Sequence, residues 1–584
     1  MAIEVVIPML GITAEKGKIL KWLKKEGDFV KKGEPIFELE TDKVVTEVES
    51  PASGTLKKIL VREDIEVPIL TVVGIITEKG EELPERYSGI TPETPLPNLA
   101  IPEFPGTSIS SVPSISPAEG FFDVAIIGAG PGGYVAAIRA AQMGARVLLV
   151  EKDEIGGTCL NRGCIPTKCF LSDAKIYNKV RNSDIFFNGS EITIDLKKMV
   201  SRKNKVVETL KHGVSMLLES QKVTLVKGVG KFLDPKRIEV SLNGEVQVYS
   251  AKNAIIATGS LAASLPSIKV DGQKILSSDE VIHLKEIPQN ILIVGGGVIG
   301  VEFASIFNYL GTKVKILEML PYIISTEDDE VIRALRFLLE KQGIEILTEA
   351  KVLNASHSKK KIELTIDRKG RQERVSGEKV LMAVGRIQHT KDLNLDKIGI
   401  QMERGFIKVN SRMETNIDGI YAIGDVIGKM MLAHAASEEG IVAIENLMGK
   451  VCEINYERVP NCIYTFPEVA SVGLNEAEAK RRGYGIQVGK FPYLKNGKAL
   501  AIGESEGFVK IIAEKELGQI LGVHILGENA TDLIGECLLA INLEASVEDL
   551  GEVIKGHPTI SETVKEAALD WQGLAIHMPK QSKA

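Results

Sequence analysis

The chain has 584 residues, 44% hydrophobic and 26% charged, with a formal net charge of −7 at pH 7. It is too long for one ordinary core, so several domains are expected. The acidic balance, with no basic tract, excludes general nucleic-acid binding, and no apolar run is long enough to span a bilayer.

The first residues, "MAIEVVIPML", offer no basic n-region, so no secretory signal is expected and a cytoplasmic, reduced setting is the simplest reading. Residues 1–79 alternate apolar and polar over short runs punctuated by glycine, the pattern of a small all-β domain. The pattern repeats: "GKILKWLKKE" from Gly17 parallels "GTLKKILVRE" from Gly54, which predicts two similar halves folded together. The repeat fades where Gly27 and Gly33 meet Asp64 and Leu70. In "ELETDKVVTEVES", Lys43 stands between two short strands with Asp42 before it. Spacing alone reads this as a solvated charge at a hairpin tip. Residues 80–119 are rich in proline and serine and show neither helical nor strand period, so a linker is expected. As a flexible coil it would span about 35 Å.

From residue 120 the pattern is α/β. "FFDVAIIGAGPGGYVAAIRAAQMGARVLLVEK" reads as strand, glycine turn, helix and second strand, and "QNILIVGGGVIGVEFASIFNYLGTKVKILEM" repeats it. Gly128, Gly130 and Gly133 correspond to Gly295, Gly297 and Gly300, and Glu151 and Glu318 each lie 23 residues beyond the first glycine. In this context GxGxxG is a dinucleotide fingerprint. The first glycine makes the turn, the second admits the pyrophosphate to a helix N-terminus, and the third lets helix approach strand. The acidic residue takes the ribose hydroxyls, and Glu318 would repel a 2′-phosphate, so the second site should take NAD(H). Two such sites suggest a flavin held permanently and a nicotinamide that exchanges.

Between them lies "GGTCLNRGCIPTK", with Cys159 and Cys164. Residues five apart in a regular helix have Cα atoms roughly 8–9 Å apart, too far for a disulfide. Gly163 allows the chain to distort, and Pro166 predicts a helix start that would favour a thiolate at Cys164. Zinc would need two more ligands nearby, and the stretch has none. A redox pair beside a flavin is the reading these residues support.

This segment resembles the active-site stretch of the flavin disulfide reductases, and within them the dihydrolipoamide dehydrogenases. "AIIATGS" (254–260), "AVGR" (383–386), "YAIGDV" (421–426), "YTFPEVASVG" (464–473) and "GHPTISE" (556–562) agree and occur in the family's order. The resemblance implies an FAD-binding domain at 120–268, an NAD-binding domain at 269–390, a central segment completing the FAD site at 391–458 and an α+β dimerisation domain at 459–584. It implies that Cys159 exchanges with substrate, Cys164 lies nearer the flavin as the thiolate, and Lys168 pairs with Glu302. Asp425 would hold the FAD ribityl chain, with Gly385 also at the cofactor. His557, oriented by Glu562, would act as acid–base catalyst on the other subunit's cysteines in a homodimer. Glu318 fits poorly with glutathione reductase, and the ending "AIHMPKQSKA" lacks the C-terminal cysteine pair of mercuric reductase and high-molecular-weight thioredoxin reductase.

"ETDK" in a two-fold repeated β domain resembles the lipoyl domain, whose central lysine carries lipoic acid; biotinyl domains show Met-Lys-Met there. The combined expectation is a lipoyl-bearing dihydrolipoamide dehydrogenase with FAD, NAD and lipoate on Lys43, and no metal. It would serve a 2-oxo-acid dehydrogenase, acetoin or glycine-cleavage complex through a lipoyl-bearing acyltransferase or carrier. Two rivals stay open: a lipoyl carrier on a flavoprotein-shaped scaffold, and an NADH-dependent reductase of another disulfide.

Overall fold

The structure is a computed structural model that describes residues 3–7, 16–40, 45–68, 71–77, 121–183, 185, 192–358 and 361–579. The chain falls into two units, 1–115 and 116–584. Lys43 and the expected linker at 80–119 lie outside the described residues.

The first unit is a sandwich of two four-stranded sheets. Its strands are β1 (Ile3–Val6), β2 (Lys16–Trp22), β3 (Phe29–Val30), β4 (Pro35–Glu40), β5 (Val45–Glu49), β6 (Gly54–Ile59), β7 (Glu66–Pro68) and β8 (Val72–Thr77). The sheets run β1-β8-β6-β3 and β5-β4-β2-β7. A shift of 37 residues, the distance from Gly17 to Gly54, carries β2 onto β6, β3 onto β7 and β4 onto β8. The backbone obeys the same shift: Leu23 N–H donates to Ile36 as Leu60 N–H does to Val73, at 2.9 and 2.8 Å. Gly27 N–H reaches Leu56 and Asp64 N–H reaches Ile19, at 2.8 and 2.7 Å. Gly27 and Asp64 both take positive φ, 95° and 64°. The two-fold therefore persists where the sequence match fades, because aspartate tolerates the left-handed region. Ile19, Leu39, Leu56 and Ile76 fill the core at equivalent places. β4 is antiparallel to β2 and finishes with Glu40 opposite Lys18, and β8 finishes with Thr77 opposite Thr55. Because β3, which follows β2, pairs with the start of β6, Glu40 and Thr77 lie at opposite ends of the sandwich.

The second unit carries two nucleotide-type sheets. In the first, β9 (Phe121–Ile127), helix α1 (Pro131–Gln142) and β10 (Val147–Glu151) form a βαβ unit. Helices α2 (Gly157–Arg162), α3 (Cys164–Arg181) and α4 (Leu196–Ser220) follow. The sheet runs β11 (Thr224–Lys227), β10, β9, β14 (Glu245–Ile256), β13 (Arg237–Leu242), β12 (Val229–Asp234). It is parallel from β11 to β14 and antiparallel from β14 to β12. A two-stranded ribbon of β15 (Ser260–Ala262) and β24 (Arg386–Gln388) marks the joint to the second sheet. That sheet is parallel, in the order β16 (Ile275–Leu276), β23 (Lys379–Met382), β17 (Asn290–Val294), β18 (Lys313–Leu317), β19 (Glu345–Leu347). Its helices include α5 (Val298–Tyr309) and α6 (Asp329–Lys341), and an antiparallel three-stranded sheet, β20 (Ala350–His357), β21 (Ile362–Arg368) and β22 (Arg371–Gly377), covers one side.

The chain then returns to the first sheet. Strand β25 (Ile420–Ala422) adds to β14, and α7 (Ala433–Leu447) crosses α1. That crossing is close: a Cβ on Gly440 would stand 2.7 Å from the Gly132 carbonyl oxygen. The C-terminal part is an antiparallel sheet, β26 (Asn461–Ile463), β27 (Glu468–Gly473), β30 (Ile520–Gly527), β29 (Phe508–Glu514), β28 (Ile486–Pro492), packed with α8 (Ala530–Asn542) and α9 (Glu562–Trp571). Here Leu539, Leu543 and Ile554 are exposed, Ile554 by 92%, apolar surface of the sort that subunit association covers. No helix among the described residues is long and apolar enough to cross a membrane.

Candidate active site

The two fingerprints share one geometry. Gly128 and Gly295 have φ of 106° and 110°, and a Cβ on them would lie 2.3 and 2.2 Å from the carbonyl oxygens of Ala257 and Ala383. Gly133 and Gly300 pack helix on strand so closely that a Cβ would stand 1.8 and 2.0 Å from the carbonyl oxygens of Gly128 and Gly295. Gly130 and Gly297 have no such crowding and face a cavity of about 1360 Å3. Each acidic partner closes its own loop. Glu151 accepts from Ala129 N–H at 2.6 Å and Asp153 N–H at 2.8 Å; Glu318 accepts from Gly296 N–H at 2.5 Å and Leu320 N–H at 2.7 Å. Both carboxylates remain on the cavity wall.

The cysteines face the same cavity. α2 ends at Arg162, Gly163 takes φ −122° and ψ −111°, and α3 restarts at Cys164. This break, not a continuous helix, brings Cys159 to Cys164. A Cβ on Gly163 would stand 3.0 Å from the Thr158 carbonyl oxygen, a tight approach that a larger residue meets only if the neighbour gives by a few tenths of an ångström. Neither cysteine is in a disulfide. The Cys164 thiol is held down at about 7: a hydrogen bond from Cys159 and the Lys168 charge outweigh burial. Cys159 is pushed up, since it gives that hydrogen bond and is buried. Lys168 Nζ lies 2.9 and 3.1 Å from the oxygens of buried Glu302 and 4.0 Å from the centre of the Tyr464 ring. Tyr464 N–H in turn donates to Glu302 at 3.0 Å, so α5 and the residue that follows β26 fix the lysine from two sides.

Asp425 follows β25 on the cavity wall, where it accepts from the Ser260 hydroxyl and lies 3.6 Å from Arg386. Arg386 donates to the Ser260 hydroxyl at 2.6 Å and its carbonyl at 2.9 Å. Gly385, beside it, has φ 111° and an open Cβ direction. Beneath this wall the fully buried Glu439 accepts from Gly424 N–H at 2.6 Å and Tyr456 hydroxyl at 2.7 Å. Burial pushes Glu439 up to about 7 against those two bonds. Ser260, Arg386 and Tyr464 stood inside sequence segments already singled out, without a role of their own; Glu439 had no local signal. One cavity thus offers two open helix N-termini, two carboxylates fixed by their own glycine loops and a thiol pair. This donor set suits an FAD and a nicotinamide nucleotide.

His557 lies elsewhere. Its Nδ1 is 2.9 Å from Glu562, and Glu562 also accepts from Thr559 N–H at 2.9 Å. Burial raises Glu562, but these two partners outweigh it and hold the carboxyl below its usual range. His557 is 78% exposed and is absent from the cavity lining, so one chain does not bring it to the cysteines.

A family model described as "Pyridine nucleotide-disulphide oxidoreductase" matches residues 122–440. The chain belongs to the pyridine nucleotide-disulphide oxidoreductase family. The family's dimerisation domain matches 459–568, and a model described as "Biotin-requiring enzyme", of the biotin/lipoyl type, matches 3–76. A mitochondrial dihydrolipoyl dehydrogenase of Pisum sativum is 44% identical over 78% of this chain and 92% of that protein. The dihydrolipoyl dehydrogenase of Bacillus subtilis is 43% identical over 78% and 99%. A leghemoglobin reductase of Glycine max is 44% identical over 76% and 87%. Among solved structures, LpdA from Mycobacterium tuberculosis superposes with a TM-score of 0.72 at 26% identity, covering 76% of this chain and 98% of that one. This pyridine nucleotide-disulphide oxidoreductase is thus an NAD-dependent flavoprotein of the dihydrolipoyl dehydrogenase type, with a lipoyl-type domain and a dimerisation domain, as the sequence led one to expect.

Proposed function

We propose that this oxidoreductase reoxidises protein-bound dihydrolipoyl groups in a 2-oxo-acid dehydrogenase complex or a related acetoin or glycine-cleavage system, in the cytoplasm. The observation that carries the reading is the thiol pair, one sulfur held down and one pushed up, in the cavity shared by both fingerprints. A dihydrolipoyl thiolate attacks Cys159 of the disulfide, and Cys164 leaves as a thiolate held by Lys168. The second dihydrolipoyl thiol then displaces Cys159, giving oxidised lipoyl and the Cys159–Cys164 dithiol. The partner subunit's His557, oriented by Glu562, takes the substrate protons and returns one to Cys159. Bound FAD supplies the acceptor for the electron pair and its route to NAD+. Lys168, clamped by Glu302 and Tyr464, stands where it stabilises developing negative charge.

Glu318 sets the nucleotide. A 2′-phosphate would meet a carboxylate already committed to Gly296 and Leu320, and like charges in contact cost several kcal/mol. Steady-state kcat/KM should favour NAD+ over NADP+ by about a hundredfold or more. A wild-type enzyme that prefers NADP+ would overturn the reading of Glu318. Replacing Glu318 with Ala should weaken NAD+ as well, because it frees both loop N–H groups.

Lys43 is the proposed lipoylation site, and the tethered arm would reach a Cys159–Cys164 site at high effective concentration without tight binding. Lys43→Gln should leave turnover of free dihydrolipoamide within about twofold of wild type, the reductase machinery being untouched. It should lower flux in a complex that depends on this chain's own arm. Intact-protein mass spectrometry of protein from lipoate-replete native cells is the direct check, and an unmodified Lys43 there would remove the carrier role.

A further inference from the structure

The loop between β18 and α6 holds the second fingerprint from behind. Ile324 N–H donates to the Gly296 carbonyl at 2.9 Å, and Ile323 fills the space where a Gly296 Cβ would lie, with its Cγ2 at 2.8 Å. Gly296 is the residue whose N–H binds Glu318. The loop pays for this contact in backbone conformation: Ile324 has φ 39°, a region disfavoured for a β-branched residue, and its side chain is buried. Such a conformation persists only where neighbours over-determine it.

Those neighbours lie in the loop's own end and in the dimerisation domain. Glu327 N–H turns back to the Ile324 carbonyl at 3.0 Å. The next residue, Asp328, caps α6 and receives Lys510 of β29 at 2.7 Å. Lys510 is 2% exposed and also meets Glu476 at 2.6 Å and Glu330 at 3.4 Å. Asn461 of β26 donates to Glu327. A buried lysine in contact with three carboxylates, two of them on α6 and its cap, is a fixed point rather than a solvated charge.

Resting on the NAD reading of the second fingerprint, we propose that Lys510 is a positioning residue for the nicotinamide-nucleotide site, acting through Asp328 and the strained Ile324 to fix Gly296 and with it Glu318. It touches no reacting atom. Its loss should therefore show in nucleotide affinity and leave the thiol pair and FAD alone.

The test uses two variants of the full-length holoenzyme. Lys510→Met removes the anchor, and Ile324→Gly removes the strain and the side chain while leaving the ion cluster. Both should raise KM for NAD+ and the Kd of ADP-ribose at least fivefold, with KM for dihydrolipoamide and FAD content within twofold of wild type. Ile324→Gly also empties a buried position and should lower the melting temperature, so retained FAD content and an unchanged KM for dihydrolipoamide are what separate positioning from unfolding. An unchanged ADP-ribose Kd in Ile324→Gly overturns the proposal, whether or not Lys510→Met folds. Wild-type protein that binds no ADP-ribose would instead remove the nucleotide reading on which the proposal rests.

Discussion

Turnover of dihydrolipoamide falls by at least about a thousandfold when serine replaces Cys159 or Cys164, because the nucleophile of one half-reaction is gone. FAD content stays near wild type, since the glycine loop and Glu151 that would hold it make no use of either sulfur. The two variants differ in colour. Cys164 is the sulfur held down at about 7, so Cys159→Ser keeps the long-wavelength absorbance that a thiolate gives beside a bound flavin, and Cys164→Ser loses it. A serine hydroxyl in place of Cys159 can still donate to Cys164, which preserves the largest cause of the lowered value. The sign with pH follows: in two-electron-reduced wild type the band is present above about 7 and fades as Cys164 protonates below it. Equal bands in both variants, measured by anaerobic titration across that range, would reverse the two roles.

Mixing two dead proteins restores activity. His557→Gln alone should lower kcat by about 10²–10⁴, the usual worth of a positioned acid–base group. Paired with Cys159→Ser chains, it leaves each heterodimer one site with an intact cysteine pair and an intact partner histidine. With random exchange, half the dimers are mixed and each has one working site, so about a quarter of wild-type activity returns. The geometry motivates this: His557 and Glu562 form an ordered pair that is exposed and away from their own chain's cysteines, in the domain that matches the family's dimerisation model. No recovery, with exchange verified by native mass spectrometry, would place the base within its own chain.

Sequence spoke most clearly where the backbone itself demands a residue type. Gly133 and Gly300 sit under 2.1 Å from a carbonyl oxygen at the Cβ position, and no other side chain fits that approach without a shift, so the fingerprints were readable twice over. Gly163 pointed to a distorted stretch at the cysteine pair, and the structure shows two helices meeting at that glycine. The lipoyl-type repeat was readable through Gly17 and Gly54 and lost at Asp64, where a different residue takes the same left-handed backbone as Gly27. What remained hidden are pairings between distant segments. Lys510 and Asp328 are 182 positions apart, and Ser260 and Asp425 165. Nothing local marks Lys510 as buried; a charged residue in an apolar run reads as a solvent-facing position until its partner arrives from another domain.

The two-fold in the first unit has a mechanical consequence. Thr77, from which the chain continues, and Glu40, before the segment holding Lys43, occupy opposite ends of the sandwich. A strand of six residues is about 20 Å long. The folded module therefore sets these two chain positions roughly 20 Å apart at no further cost in chain entropy, whereas the same separation held by a flexible coil would need a dozen or more residues.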